Sequence, residues 1–221
     1  MKILFGIQAT GNGHISRSRE VVLRLRARGH EVKVLFSGRD PSGLKEIEVF
    51  KPFDVRRGLT FQTSRGRLQY LKTAFTLNLP RFYRDIYDYD AAGVDMVITD
   101  YEPLSARIAR RFRIPCIGFG HQYAFCFDIP IAGANPFTRR LLQAFAPADH
   151  PVGLHWHHFG QPILPPVIPG HLDGTRPAEA DKVLVYLPFD HPAEVQALLA
   201  PFTSHRFFIY GIAELKSPVD K

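Results

Sequence analysis

The sequence predicts a doubly wound α/β fold built on a parallel sheet, and three observations carry that expectation. Short apolar runs rich in branched and aromatic residues, at 3–7, 31–36, 94–99 and 114–119, alternate with stretches of helical periodicity. Such alternation joins neighbouring strands through helical crossovers, which gives a parallel sheet with helices on its faces. The first run passes into Gly11-Asn12-Gly13, a turn expected to need backbone freedom that a side chain would deny, and then directly into a helix. Polar residues (His14, Asp100, His121) also stand just after three of the expected strands, where an open α/β sheet presents its strand ends to a crevice.

Taken in order, Ile3 to Ile7 is too short for a helix and reads as a buried strand. The helical pattern from about Ile15 to Arg28 can bury Val21, Val22 and Leu25, and Gly29 ends it. Its arginines (17, 19, 24, 26 and 28) form either a solvated outer face or a surface that attracts anionic phosphates or lipid head groups. Glu31 to Phe36 is the second strand, Asp40-Pro41 opens a short helical piece, and 49–61 reads as strand and loop. From Gly66, Leu68, Leu71, Phe75 and Leu79 recur at three- and four-residue steps, which predicts a helix that Pro80 breaks or bends. A second helix follows through Phe82, Tyr83, Ile86 and Tyr87. The pair carries Arg65, Arg67, Lys72, Arg81 and Arg84 among Tyr70, Phe75, Phe82 and Tyr83. That interleaving fits core rings with solvated charges, or contact with an anionic membrane surface.

Val94 to Thr99 is a strand that ends in Asp100-Tyr101-Glu102-Pro103. Asp100 is placed to orient a neighbouring imidazole or to accept from a hydroxyl, and either carboxylate could instead cap the helix that Pro103 begins. Ile114 to Phe119 is a further strand, followed by Gly120-His121-Gln122, and Asn135-Pro136 starts a helix through Phe145. Val152 to Phe159 reads as a strand with His155 and His157 on one face, but no carboxylate or thiolate stands nearby in a metal-ligand pattern. Prolines at 162, 165, 166, 169 and 177 stiffen an extended connection in which a domain boundary belongs. Beyond it, Lys182 to Leu187, Pro192 to Leu199 and Arg206 to Tyr210 read as strand, helix and strand, the opening βαβ unit of a second domain. Some forty residues of that kind cannot bury a core of their own.

Two familiar loop motifs do not fit. Gly11 and Gly13 match the start of G-x-G-x-x-G, but Ser16 holds the third glycine position and Ser37 stands where an acidic ribose ligand is expected. No Gly-Lys-Ser/Thr follows, which excludes a P-loop. The composition, 45% hydrophobic and 22% charged, is that of a globular chain. No apolar run is long enough for a membrane helix, and the glycine turn interrupts the first run too early for a signal peptide. With only Cys116 and Cys126, and no Cys-x-x-Cys spacing, a reducing cytoplasm is expected. The net charge of +7 comes with no zinc-finger or nucleic-acid-binding motif, so no nucleic acid partner is expected.

GNGHISR after a first strand, with the following helix running into RGHEVKVLF, resembles the two-domain GT-B glycosyltransferases over roughly residues 1–211. It is most similar to the group containing the lipid-intermediate N-acetylglucosamine transferase of peptidoglycan synthesis, and within it to a set of microbial glycosyltransferase-like sequences sharing TGNGHISRSRE. The resemblance implies a Rossmann-like acceptor domain at 1–161, a proline-rich linker at 162–181 and the start of a donor-binding domain at 182–221. It implies sugar transfer from a nucleotide diphosphate donor to a hydroxyl acceptor, lipid-linked or glycan, with no metal or other cofactor. His14 is the expected base and Asp100 its catalytic companion, with Gly11, Asn12, Gly13, Ser16, Arg17, Glu102 and His121 lining the cleft. Ser16-Arg17 stands where many relatives carry proline, so the family's acceptor contacts are not carried over there. Peripheral contact with the inner membrane face and homo-oligomerisation are compatible with this reading. Because the donor loops would follow residue 221, the chain alone is expected to be inactive and to bind nucleotide sugars poorly. The other reading is a non-catalytic half that docks a membrane or a separate donor-binding chain.

Overall fold

Strand β1 (Lys2–Gln8) is apolar without alternation because both of its faces are covered. Ile3, Phe5 and Ile7 face one layer with Ile15 and Val22, while Leu4 faces the other with Phe82, Ile86, Leu104 and Ile108. The computed structural model describes residues 1–44, 47–60, 63, 64, 67, 68, 77–131, 136–170, 179–187 and 190–210. Contacts divide the chain into two compact units, Met1–Thr60 with Leu77–His171, and Phe61–Thr76 with Leu172–Lys221.

The first unit is organised on six strands: β1, β2 (Glu31–Ser37), β3 (Phe53–Arg56), β4 (Met96–Asp100), β5 (Cys116–Gly120) and β6 (His150–Gly153). They lie in the order β3-β2-β1-β4-β5-β6, and every neighbouring pair is parallel. Helices α1 (Asn12–Ala27), α2 (Leu79–Tyr87), α3 (Pro103–Phe112) and α4 (Pro136–Phe145) complete the unit. The chain runs outward from β1 through β2 to β3, then returns to β4 on the other side of β1. The loops leaving β1 and β4 therefore diverge and open a crevice at their C-terminal ends. Close packing there depends on Gly6, where a Cβ would overlap Ser105 Oγ of α3.

Local chemistry sets the helix starts. Pro80 and Pro103 each lie in a first turn, where a missing N–H costs nothing, and Pro80 opens α2, the second of the helices expected around it. Asn78 caps α2 by accepting from the Arg81 N–H at 3.0 Å. The second unit holds β7 (Lys182–Tyr186), α5 (Pro192–Leu199) and β8 (Arg206–Tyr210), with β7 and β8 paired in parallel. Val185 and Val195 are buried, whereas Leu184, Tyr186, Leu198 and Tyr210 are exposed.

Several expectations change. The glycine turn is shorter than expected, because α1 already begins at Asn12. Gly11 has an extended backbone (φ −129°) and a Cβ on Gly13 would meet nothing within 4 Å, so neither glycine is demanded by the turn. The expected strand through Phe159 stops at Gly153, and His155 to Phe159 instead form a turn held by their own ring nitrogens. Arg67 and Leu68, expected to open a helix, pair antiparallel with Ser64 and Thr63; the rest of that helix, 69–76, lies outside the described residues. The proline-rich connection is not wholly a spacer: Ile163 is buried and Leu164 bridges to Leu154. Both cysteines are free, and no described helix is long and apolar enough to cross a membrane.

Candidate functional site

The strand-order reversal brings the ends of β1 and β4 together, with Ile7 registered opposite Asp100. His14 sits in the first turn of α1, and Arg17 and Ser18 follow at three- and four-residue steps, so all three fall on one helix face. That face closes on Asp100, which is fully buried. His14 Nδ1 lies 2.8 Å from Asp100 Oδ1, Arg17 Nε donates to Oδ2 at 2.7 Å and Ser18 Oγ donates to Oδ2 at 2.9 Å. Arg17 Nη2 also donates to Oδ1.

The same Arg17 Nη2 lies 2.7 Å from His14 Nδ1. A guanidinium only donates and a carboxylate only accepts, so Nδ1 cannot satisfy both. With its proton on Nδ1 the imidazole attracts Asp100, and Arg17 directs its hydrogens to the carboxylate, leaving every partner compatible. His14 then presents an unprotonated Nε2, which has no hydrogen-bond partner among the described residues, and its side chain is 13% exposed. Burial alone would raise the Asp100 carboxyl, but its interactions with His14 and Arg17 prevail and hold it below the usual carboxylate range.

The neighbouring backbone keeps two carboxylates apart. Tyr101, between Asp100 and Glu102, takes a left-handed conformation (φ 52°), uncommon for a bulky residue. Its buried ring and a hydrogen bond from its hydroxyl to the Leu142 carbonyl, at 2.8 Å, hold it there. Asp100 thereby meets α1, whereas Glu102 caps α3. Glu102 accepts from the N–H groups of Leu104 (2.8 Å) and Ser105 (2.5 Å) and from Ser37 Oγ (2.6 Å). It is fully buried, and burial raises its carboxyl above the usual range despite those bonds. Glu102 is thus placed inside the unit and not on an open cleft surface. Glu102→Ala is expected to lower stability by about 2–3 kcal/mol, through loss of the cap and three orphaned donors; a denaturant midpoint matching the unaltered protein would refute that role.

The other expected residues surround the crevice more loosely. Asn12 Oδ1 accepts from Arg39 Nη1 at 3.0 Å, and Ser16 Oγ donates to the Asn12 carbonyl at 3.0 Å. Arg39, which also reaches the Thr10 carbonyl at 3.2 Å, was not singled out by sequence because nothing local links it to the first loop. Ser18 was also missed, although its four-residue step from His14 was a legible signal. Gly120 borders the cluster: its φ is 139°, and a Cβ there would lie 3.1 Å from Asp100 Oδ1. His121 follows it but donates instead toward the Leu154 carbonyl, 3.2 Å away, making no hydrogen bond to His14 or Asp100. His155 and His157, no longer on a strand, do not share a ligand face, and no three His, Cys, Asp or Glu side chains among the described residues form a metal-binding group.

Of the α1 arginines, Arg17 belongs to this cluster. Arg26 holds the Val49 and Val32 carbonyls at 2.5 and 2.7 Å, so the basic helix is not simply a solvated face.

Residues 1–220 match the model of the family described as glycosyl transferase family 1. The structure is similar to SsfS6, a glycosyltransferase of Streptomyces sp. SF2575 solved with thymidine diphosphate, at TM-score 0.54 and 15% identity, over 96% of this chain and 70% of that one. It is also similar to the glycosyltransferase SnogD from Streptomyces nogalater, at TM-score 0.51 and 17% identity, over 100% of this chain and 70% of that one. MurG of Acinetobacter baumannii superimposes at TM-score 0.45 and 14% identity, over 98% of this chain and 69% of that one. At these identities the likeness is one of fold. No curated protein matches the chain in sequence.

Proposed function

The chain belongs to glycosyl transferase family 1, and from that premise we propose that it carries the acceptor side of sugar transfer, with His14 as general base. The observation that carries the reading is the Nε2 of His14 at the strand-order switch, which meets no hydrogen-bond partner among the described residues, backed by the Nδ1 contact to buried Asp100. Nε2 takes the proton of an acceptor hydroxyl, whose oxygen bonds to the anomeric carbon of the donor sugar. The bond from that carbon to the diphosphate breaks, and the nucleoside diphosphate leaves with the electron pair. Asp100 touches no substrate in this scheme; it is a positioning residue that fixes the tautomer and supplies the negative charge facing the imidazolium, a carboxylate it shares with Arg17.

The test is acceptor-dependent release of nucleoside diphosphate when the protein is given nucleotide diphosphate sugars with glycan and lipid-linked hydroxyl acceptors. Acceptor-dependent release supports the enzyme. Tight association with a second, donor-binding chain and no release with any pair would favour the docking reading, which the exposed Leu184, Tyr186, Leu198 and Tyr210 support.

The reading extends to a membrane surface, on which a lipid-linked acceptor would be met. Helix α2 buries Phe82 and Ile86 but exposes Tyr83 and Tyr87 together with Arg81 and Arg84. Arg111 of α3 lies over the Tyr87 ring, 4.3 Å from its centre, and continues the basic and aromatic surface. Binding to anionic liposomes is expected to weaken as salt shortens the screening length below about 8–10 Å. Replacing Arg81 and Arg84 together by glutamate is expected to abolish it; equal binding to neutral liposomes would remove the membrane reading.

A further inference from the structure

The ends of β5 and β6 carry a row of rings that proton transfer at His14 does not use. His121 stacks on His155 with ring centres 5.4 Å apart and planes inclined by 23°. His155 lies 5.1 Å from Phe159, and Phe159 lies 4.7 Å from His157. His157 in turn stacks on His158 at 5.1 Å, with planes only 8° apart. The row begins one residue from Gly120, the glycine pressed against Asp100.

Only Phe159 of these rings packs against the core, beside the cluster of Ala124, Ile129 and Ile163. His121, His157 and His158 are exposed, and Trp156, within the same turn, is 82% exposed. Leaving an indole and several imidazoles in water costs favourable burial, so the turn must be held in place by other bonds. His157 Nδ1 accepts the Phe159 N–H at 2.8 Å and His158 Nδ1 accepts the Gly160 N–H at 2.9 Å. His155 Nδ1 lies against both the N–H and the carbonyl of His157, at 3.0 and 3.1 Å. With Nδ1 accepting, the neutral His157 and His158 rings carry their protons on Nε2, where no described residue bonds to them.

We propose that this row is a stacking shelf for a pyranose ring of the acceptor. The inference rests on the glycosyltransferase reading and adds the acceptor's class. Ring faces attract the C–H face of a sugar, and the Nε2–H groups at their rims match its hydroxyls. An acyl chain would use the faces and leave those donors unpaired. Lying beside Gly120, the shelf leads toward the crevice in which His14 waits.

Trp156 is the only tryptophan of the chain, so indole fluorescence reports on this turn alone. Titration with cellotetraose and with chitotetraose is expected to give a saturable change in the millimolar range for at least one of them, and sodium octanoate none. Phe159→Leu, which keeps bulk but removes a ring, is expected to weaken that binding about three- to tenfold. Calorimetry on Trp156→Ala is expected to show a loss of at least that size. No saturable response to either glycan, an equal response to octanoate, or unchanged affinity in Phe159→Leu would each overturn the shelf. His14→Ala should leave glycan binding unchanged. Intact shelf binding with undiminished turnover in His14→Ala would therefore sink the base reading alone, and no glycan binding in the unaltered protein together with lost turnover in His14→Ala would sink the shelf alone.

Discussion

His14→Ala is expected to lower turnover by about two to four orders of magnitude, the usual contribution of a positioned general base. The fold should survive the change, because the imidazole is partly exposed and its replacement leaves Arg17 and Ser18 on Asp100. The loss should fall on kcat with KM little altered, since a base acts on a proton that moves only in the transition state. Thermal unfolding of the variant within a few degrees of the parent secures the comparison. A change in turnover below about threefold under saturating substrates would remove His14 from the mechanism.

Asp100→Asn is the second large effect, and it acts on both stability and rate. Asp100 is fully buried and supplies the countercharge to Arg17, so its loss is expected to destabilise the unit by about 3 kcal/mol. For a chain of this length that corresponds to a melting point lower by about 6–12 °C. Its folded carboxyl is held below the usual range, so its contribution is present above the unfolded value of about 4 and is lost as pH falls below it. Asp100→Asn should therefore flatten the acid limb of the stability profile. For the rate, a double-mutant cycle is decisive. If Asp100 works through the imidazole, Asp100→Asn should slow turnover in the parent background and add almost nothing in His14→Ala. Additive losses would leave Asp100 a purely structural role.

What could be read without the structure follows from local physics. The runs 3–7, 31–36, 94–99 and 114–119 each contain an observed strand segment, because continuous branched apolar sequence fits only a strand covered on both faces. His14 and Asp100 could be named because a residue just past such a strand lies at the crevice edge whatever the rest of the chain does. The turn at His155 to Phe159 was not legible, since ring nitrogens that accept from N–H groups two residues ahead compete with strand pairing in a way alternation does not reveal.

Glu102 shows the same limit. A carboxylate before a proline can cap a helix or face a ligand, and the left-handed backbone at Tyr101 decides between them. The sequence by itself determined the alternation of strands and helices and the candidates at their ends, for both depend on neighbours along the chain. Only the tertiary structure decided that Arg17 and Ser18 join Asp100 and that Gly120 borders them. Those contacts join helix α1 to the ends of β4 and β5, strands the order of the sheet sets side by side.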